Sequence, residues 1–162
     1  MLRNETELTF SVSRRTNIPI QQVWEILGDF GTEHRWTQTL LHCERDTPQV
    51  DVGTSRICTL AKPLMGRSQV REELVEFSPG KALAYTLDGS AGPFRTAASR
   101  WTTKVDAEGK TVISVEGRFT PKNKVVRILL WPVVRQYISR VTRSVLGELE
   151  SFLLSRQRAA DI

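Results

Sequence analysis

Residues 133–154, VVRQYISRVTRSVLGELESFLL, decide the fold. Val134, Tyr137, Ile138, Val141, Val145, Leu149 and Phe152 step by three and four onto one stripe, the period of a single helix face. Arg135, Gln136, Arg140 and Arg143 are expected on the opposite side. As α-helix the stretch would run for roughly 33 Å. Pro132 suits its first turn, where no backbone N–H partner is lost. Val125 to Trp131 reads as a lead-in turn or a short separate helix.

Upstream of this helix, from Leu41 to Phe119, the pattern changes to strand-length segments. Turn signals at Thr47–Gly53, Lys62–Gly66, Ser78-Pro-Gly, Asp88–Pro93 and Asp106–Gly109 separate them. Five or six consecutive strands joined this tightly make an antiparallel meander, because parallel neighbours would need crossover helices. At the start of the chain, Leu8 to Ser13 alternates as a strand with Leu8, Phe10 and Val12 on one face. Asn17-Ile-Pro-Ile then opens a short helix through Val23, Trp24 and Leu27, ended by Gly28 and Gly31, and Thr32 to about Leu40 reads as a second short helix or turn. No repeat, low-complexity tract or long linker divides residues 1–162, so one α+β domain is expected, with the last helix covering one face of the sheet. At 162 residues, 40% hydrophobic and 25% charged, the chain can bury a full core, which excludes collagen-like, disordered and disulfide-scaffold classes.

Several local phrases, taken in order, resemble one superfamily. IPIQQVWEILGDFG (18–31) followed by Trp36 is similar to the Pro-x-x-x-Val-Trp-x-x-x-x-Asp-Phe opening of START-like (SRPBCC) proteins. Arg71-Glu-Glu-Leu-Val-Glu-Phe-Ser-Pro, Ala84-Tyr-Thr-Leu-Asp-Gly and Val115-Glu-Gly-Arg-Phe-Thr-Pro resemble its later strands, and the resemblance, over nearly the whole chain, is nearest the polyketide cyclase/dehydrase branch. It implies a helix-grip fold: a curved antiparallel sheet wrapped around the long C-terminal helix, two short helices after the first strand, and an apolar cavity between sheet and helix. Lipid carriers, receptors and aromatase/cyclases share that plan, so it does not specify a reaction.

Strand alternation selects the side chains that would face such a cavity. Glu72 and Tyr85 are the candidate catalytic pair, as general acid or base and as hydrogen-bond donor; the competing reading of Glu72 is an ion pair with Arg56 or Arg100. Candidate ligand contacts on the strands are Leu41, Cys58, Leu60, Leu74, Leu87, Trp101, Val115 and Phe119, with Tyr137 and Val141 from the helix. Trp36 could cap the cavity or plug the core, and Pro93 and Phe94 tip a glycine-bearing loop that could act as a gate or be an ordinary hairpin. Taken singly, each apolar member reads more readily as plain core. Glu116 falls outside the inward register, and His34 and His42 are expected to be solvated.

No cluster has metal-ligand spacing, and no nucleophile elbow, phosphate loop or dinucleotide fingerprint occurs, so neither metal nor cofactor is expected. Cys43 and Cys58 lack CxxC spacing and read as two small core thiols suited to a reducing cytoplasm, although a turn near residues 50 and 51 would also let them face each other as a disulfide. Met1 to Phe10 lacks the apolar run of a secretory signal, and the longest apolar stretch, Val125 to Val134, is too short and too interrupted to cross a bilayer. A cytoplasmic setting is therefore expected.

Charge is unevenly placed. Residues 1–100 carry 12 basic and 12 acidic side chains, whereas residues 101–162 carry 11 and 6. Arg118 to Gly147 contains seven basic residues and no acidic one, with Ile128 to Trp131 inside it. Such a mixture is either a solvated helix face or an interfacial segment that touches anionic membrane; nothing in it has the pattern of a nucleic-acid reader. The sequence thus points first to a carrier or binding protein for a small hydrophobic ligand, lipid or polyketide-like. The alternatives are a polyketide cyclase or dehydrase working by positioning and acid/base assistance, and a membrane-docked accessory protein.

Overall fold

The computed structural model describes residues 7–160 apart from Met65, Ser90 and Ala91. The chain runs β1 (Leu8–Thr16), α1 (Ile20–Leu27), a one-turn 3-10 helix (Glu33–Arg35), β2 (Leu40–Arg45), β3 (Ser55–Leu64), β4 (Arg67–Ser78), β5 (Ala82–Leu87), β6 (Phe94–Val105), β7 (Thr111–Pro121), a π-helical turn (Val126–Leu130) and α2 (Trp131–Ala160). The seven strands form one antiparallel sheet in the order β1-β7-β6-β5-β4-β3-β2. This is the expected α+β helix-grip architecture, with two differences. Only one short α-helix follows β1, because the second segment winds a single 3-10 turn; and α2 extends in both directions to 30 residues.

Inward residues line up across the sheet in layers. Phe10 lies beside Gly117, Gly117 beside Ser99, Ser99 beside Tyr85, and Tyr85 beside Leu74; the next layer is Val12, Val115, Trp101 and Leu83. The Phe10 ring packs directly on Gly117, and a Cβ there would lie 2.0 Å from Phe10 Cε1. In β4 the register shifts between Leu74 and Glu76, leaving Val75 exposed as a bulge residue. Beyond the bulge Glu76 meets Arg100 on the outer face, through bonds of 2.7 and 2.8 Å. Arg100 is thereby taken out of contention as a partner for Glu72.

Two further expectations change. Cys43 and Cys58 are directly paired across β2 and β3 and form a disulfide, so they are not free thiols. With a sequence separation of 15, the bridge restricts the unfolded chain by about 3 kcal/mol. The expected cytoplasmic setting rests partly on free thiols, and the bridge removes that support. The sheet-facing stripe of α2 also differs. It runs Trp131, Arg135, Ile138, Thr142, Leu146, Leu149 and Leu153, of which Thr142 and the three leucines are buried. Tyr137 lies off that stripe and is 55% exposed. Leu146, Leu149 and Leu153 each contribute about 1.5–3 kcal/mol by burial.

Gly117→Ala is expected to destabilise the fold by about 1–3 kcal/mol through overpacking against Phe10, measured by urea unfolding. A second expectation concerns acid. Hydrogen bonds from Arg100 hold the Glu76 carboxyl below its ordinary value of 4.5, so the folded state binds fewer protons than the unfolded one. That contribution is complete above pH 4.5 and is lost as pH falls through the lower folded value. The Tm gap between wild type and Glu76→Gln should therefore narrow as pH is lowered below 4.5.

Candidate functional site

Arg56 lies two residues before Cys58 on the inward side of β3 and is only 4% exposed. A buried guanidinium must be paired, and the neighbouring elements supply the partners. Glu72, opposite it on β4, accepts bonds from Nε and Nη2 at 2.7 and 2.6 Å, while Glu33 of the 3-10 turn ion-pairs with Nη1. The Phe30 ring centroid lies 3.9 Å from the guanidinium carbon and the Tyr85 centroid 4.9 Å, so the cation also rests against two adjacent aromatic rings. Gly31, at φ +100°, turns the chain between Phe30 and Glu33, and its N–H donates to Glu33 Oε2 at 2.8 Å.

Burial opposes the Arg56 charge, but Glu33 and Glu72 outweigh it and hold the guanidinium firmly protonated. Burial pushes the Glu72 carboxyl above its ordinary value, Arg56 pulls it down, and the second carboxylate, Glu33, adds to the upward push. Burial and then the Glu72 charge push Tyr85 up to about 12, so its hydroxyl is a donor at neutral pH and not a base. Glu72, committed to Arg56, is the ion-paired carboxylate that the sequence allowed as one of its two readings. Arg56, Glu33 and Phe30 were not singled out as site residues. Arg56 shares strand parity with Cys58 and Leu60, which was signal enough; Glu33 and Phe30 sit in an aperiodic connection where no pattern assigns a direction.

The remaining candidates divide by position. Trp36, Cys58, Leu74, Phe94, Trp101 and Val115 are buried. Phe94 packs at 5.1 Å on Phe119 and 6.1 Å on Trp131, so it anchors the start of β6 and does not tip a loop; Ser90 and Ala91 of the supposed gate lie outside the described residues. Leu60, Tyr85, Leu87, Pro93, Phe119 and Val141 are partly accessible. Leu41 is 66% exposed: the register shifts between Leu40 and His42, and the alternation that turns Cys43 inward no longer reaches it. Leu41 and Tyr137 are thus corrected to outward-facing positions.

Along the inner row of α2, Leu153, Leu149, Leu146 and Thr142 are buried, Ile138 is partly covered and Arg135 is exposed. Opposite these first turns lies the sheet end formed by the close of β3, β5 and β7 and the start of β4 and β6. There the inward Leu60, Leu87 and Phe119 are likewise only partly covered. At this end Trp131, the first residue of α2, packs across to Phe119 and Phe94 at 5.5 and 6.1 Å, while the turns that follow leave the facing side chains half-buried.

An open groove of about 810 Å³ lies where α2 passes the 3-10 turn; Arg14, His34, Trp36, Glu148, Ser151 and Phe152 are among its walls. Glu148 stitches its floor, accepting from Thr37 Oγ1 at 2.5 Å and the Gln38 N–H at 2.9 Å. His34 stands 5.3 Å from His42, ring to ring, and is partly buried, not solvated as expected; burial, then His42 and Arg35, lower its pKa.

The chain is similar in structure to a protein of Nitrosospira multiformis, with a TM-score of 0.71 and 16% identity over 93% of this chain and 99% of that one. It is similar also to Ara h 8.0201, with a TM-score of 0.70 and 18% identity over 92% and 99%. At those identities the likeness speaks for the fold alone. No curated protein sequence matches the chain. Residues 7–152 match the family model described as polyketide cyclase / dehydrase and lipid transport, and the chain therefore belongs to that family.

Proposed function

We propose that the protein binds a small hydrophobic ligand, lipid or polyketide-like, between the first turns of α2 and the facing sheet, and works as a carrier or binding protein. One observation carries this reading: both walls lose cover at the same end, Ile138 and Arg135 on the helix and Leu60, Leu87 and Phe119 on the sheet. An apolar side chain left uncovered on an inward face gains by burial against ligand, at about 25 cal/mol per Å². A mostly apolar wall with few polar groups is the usual composition of a small-molecule site. Tyr85, partly accessible and protonated, is the polar group proposed to orient a ligand oxygen.

The cyclase or dehydrase alternative uses the same cleft but needs Glu72 to move a proton. The Arg56 pairing counts against it, since a carboxylate held by two guanidinium nitrogens would have to break them before acting. A structural role for the cluster fits better: it fastens the 3-10 turn to β3 and β4.

Two experiments follow. Native mass spectrometry of freshly purified protein, with denaturing extraction, should find a copurified apolar molecule, and titration with anilinonaphthalene sulfonate should show saturable binding. Leu87→Trp and Ile138→Trp, which fill the cleft from opposite walls, should each weaken that binding at least tenfold, about 1.4 kcal/mol, with Tm preserved. Unchanged affinity in both variants would remove the ligand from this cleft. For the cluster, Arg56→Met is expected to cost about 3–5 kcal/mol by stranding the buried Glu72 and the half-buried Glu33, and adding Glu33→Gln and Glu72→Gln should restore much of the loss in urea unfolding. Turnover of a polyketide-like substrate that disappears in a folded Glu72→Gln variant would instead favour the enzyme.

A further inference from the structure

The turn and first half of α2 expose a run of large apolar side chains. Leu129 is 71% and Val133 67% exposed, and Val125, Ile128 and Tyr137 are each more than half exposed. Leu129, Val133 and Tyr137 follow one another at intervals of four, so they form a continuous ridge rather than scattered surface leucines and valines. Among the described residues, little covers this ridge.

The charges around it have one sign. Lys122, Lys124, Arg127, Arg135, Arg140 and Arg143 are all exposed, and no acidic residue occurs between Glu116 and Glu148. Among the described residues none of these six takes part in an ion pair, in contrast to Arg14, Arg15, Arg45, Arg56 and Arg100, each of which does. A cationic rim around an apolar ridge has a complement in a surface that is anionic outside and apolar beneath.

We infer that residues 122–143 form a docking surface for an anionic lipid bilayer, with Leu129, Val133 and Tyr137 entering the headgroup region and Lys122, Lys124, Arg127, Arg140 and Arg143 contacting lipid phosphates and carboxylates. The residue types match an amphipathic interfacial helix: an apolar row between basic side chains and an aromatic residue at its edge. Insertion is shallow, since no described helix is long and apolar enough to cross a membrane. A second copy of the chain is the poorer occupant, because a two-fold contact through this ridge would bring the two cationic rims together. The surface lies on the same half of α2 that walls the cleft, so docking would set the opening beside the bilayer. The docking inference itself stands on exposure and charge and does not depend on the ligand proposal.

The test is cosedimentation of the full chain with vesicles of phosphatidylcholine alone and of phosphatidylcholine carrying roughly 30% phosphatidylserine. Binding is expected only to the anionic vesicles and should fall as salt rises. Leu129→Ser with Val133→Ser, and separately Arg127→Glu with Arg140→Glu, should each reduce it at least tenfold while leaving Tm and anilinonaphthalene sulfonate binding in place. Equal binding to both vesicle types, or none to either, overturns the inference. Loss in the charge variant with full binding in the serine variant also overturns it, since the ridge would then not enter the membrane. A concentration-dependent dimer in light scattering that Leu129→Ser with Val133→Ser abolishes would assign the ridge to a second copy instead.

Discussion

One helix has to cover one sheet, and it is too narrow to do so. An α-helix with its side chains is about 10–12 Å across, whereas seven strands spaced at about 4.8 Å make a flat sheet nearly three times that width. The sheet must curl, and something other than α2 must close the part that the helix does not reach. Leu146, Leu149 and Leu153 close one end by packing on the inner face beside β1, while α1 and residues 28–39 seal another part with Val23, Leu27, Phe30 and Trp36. The core is therefore asymmetric: sealed where the C-terminal half of α2 and the α1 segment meet the sheet, and less fully covered along the first turns of α2.

Arg56 is a consequence of that arrangement. The connection from α1 to β2 has little regular structure, so its attachment depends on side chains. Glu33 and Phe30 from this segment meet Arg56, which is fixed from the other side by Glu72 and Tyr85. Two carboxylates against one guanidinium is an unbalanced set in a dry setting, and the opposed influences on Glu72 reflect it. Such a cluster specifies which way the segment folds over the sheet more than it adds net stability.

The first half of α2 carries the rest of the interest, because its two sides are both underpacked. Its inner row faces the half-buried Leu87 and Phe119, and the outer side of the preceding turn and of α2 exposes Leu129, Val133 and Tyr137 among cations that have no ion-pair partner among the described residues.

How much of this was legible in the chain can be judged residue by residue. Alternation and turn chemistry sufficed for the strands, the antiparallel meander and the terminal helix, because hydrophobic period and short connections are local properties. The inward parity of Glu72, Tyr85, Trp101 and Val115 was readable for the same reason, and the contrast between the neutral first hundred residues and the basic remainder is plain counting. Leu41 was misplaced because a bulge resets parity without a sequence signal, and Tyr137 because aromatic and aliphatic residues occupy more of α2's circumference than the sheet can bury. Whether Cys43 and Cys58 were thiols or a disulfide depended on register, and whether Glu72 was free or held depended on Arg56 and Glu33 arriving from 16 residues before it and from a separate turn. The sequence by itself determined the elements and their order; which side chains meet, which stay uncovered and which charges are spent on each other was decided only by tertiary structure, because those contacts join positions whose spacing in the chain carries no period.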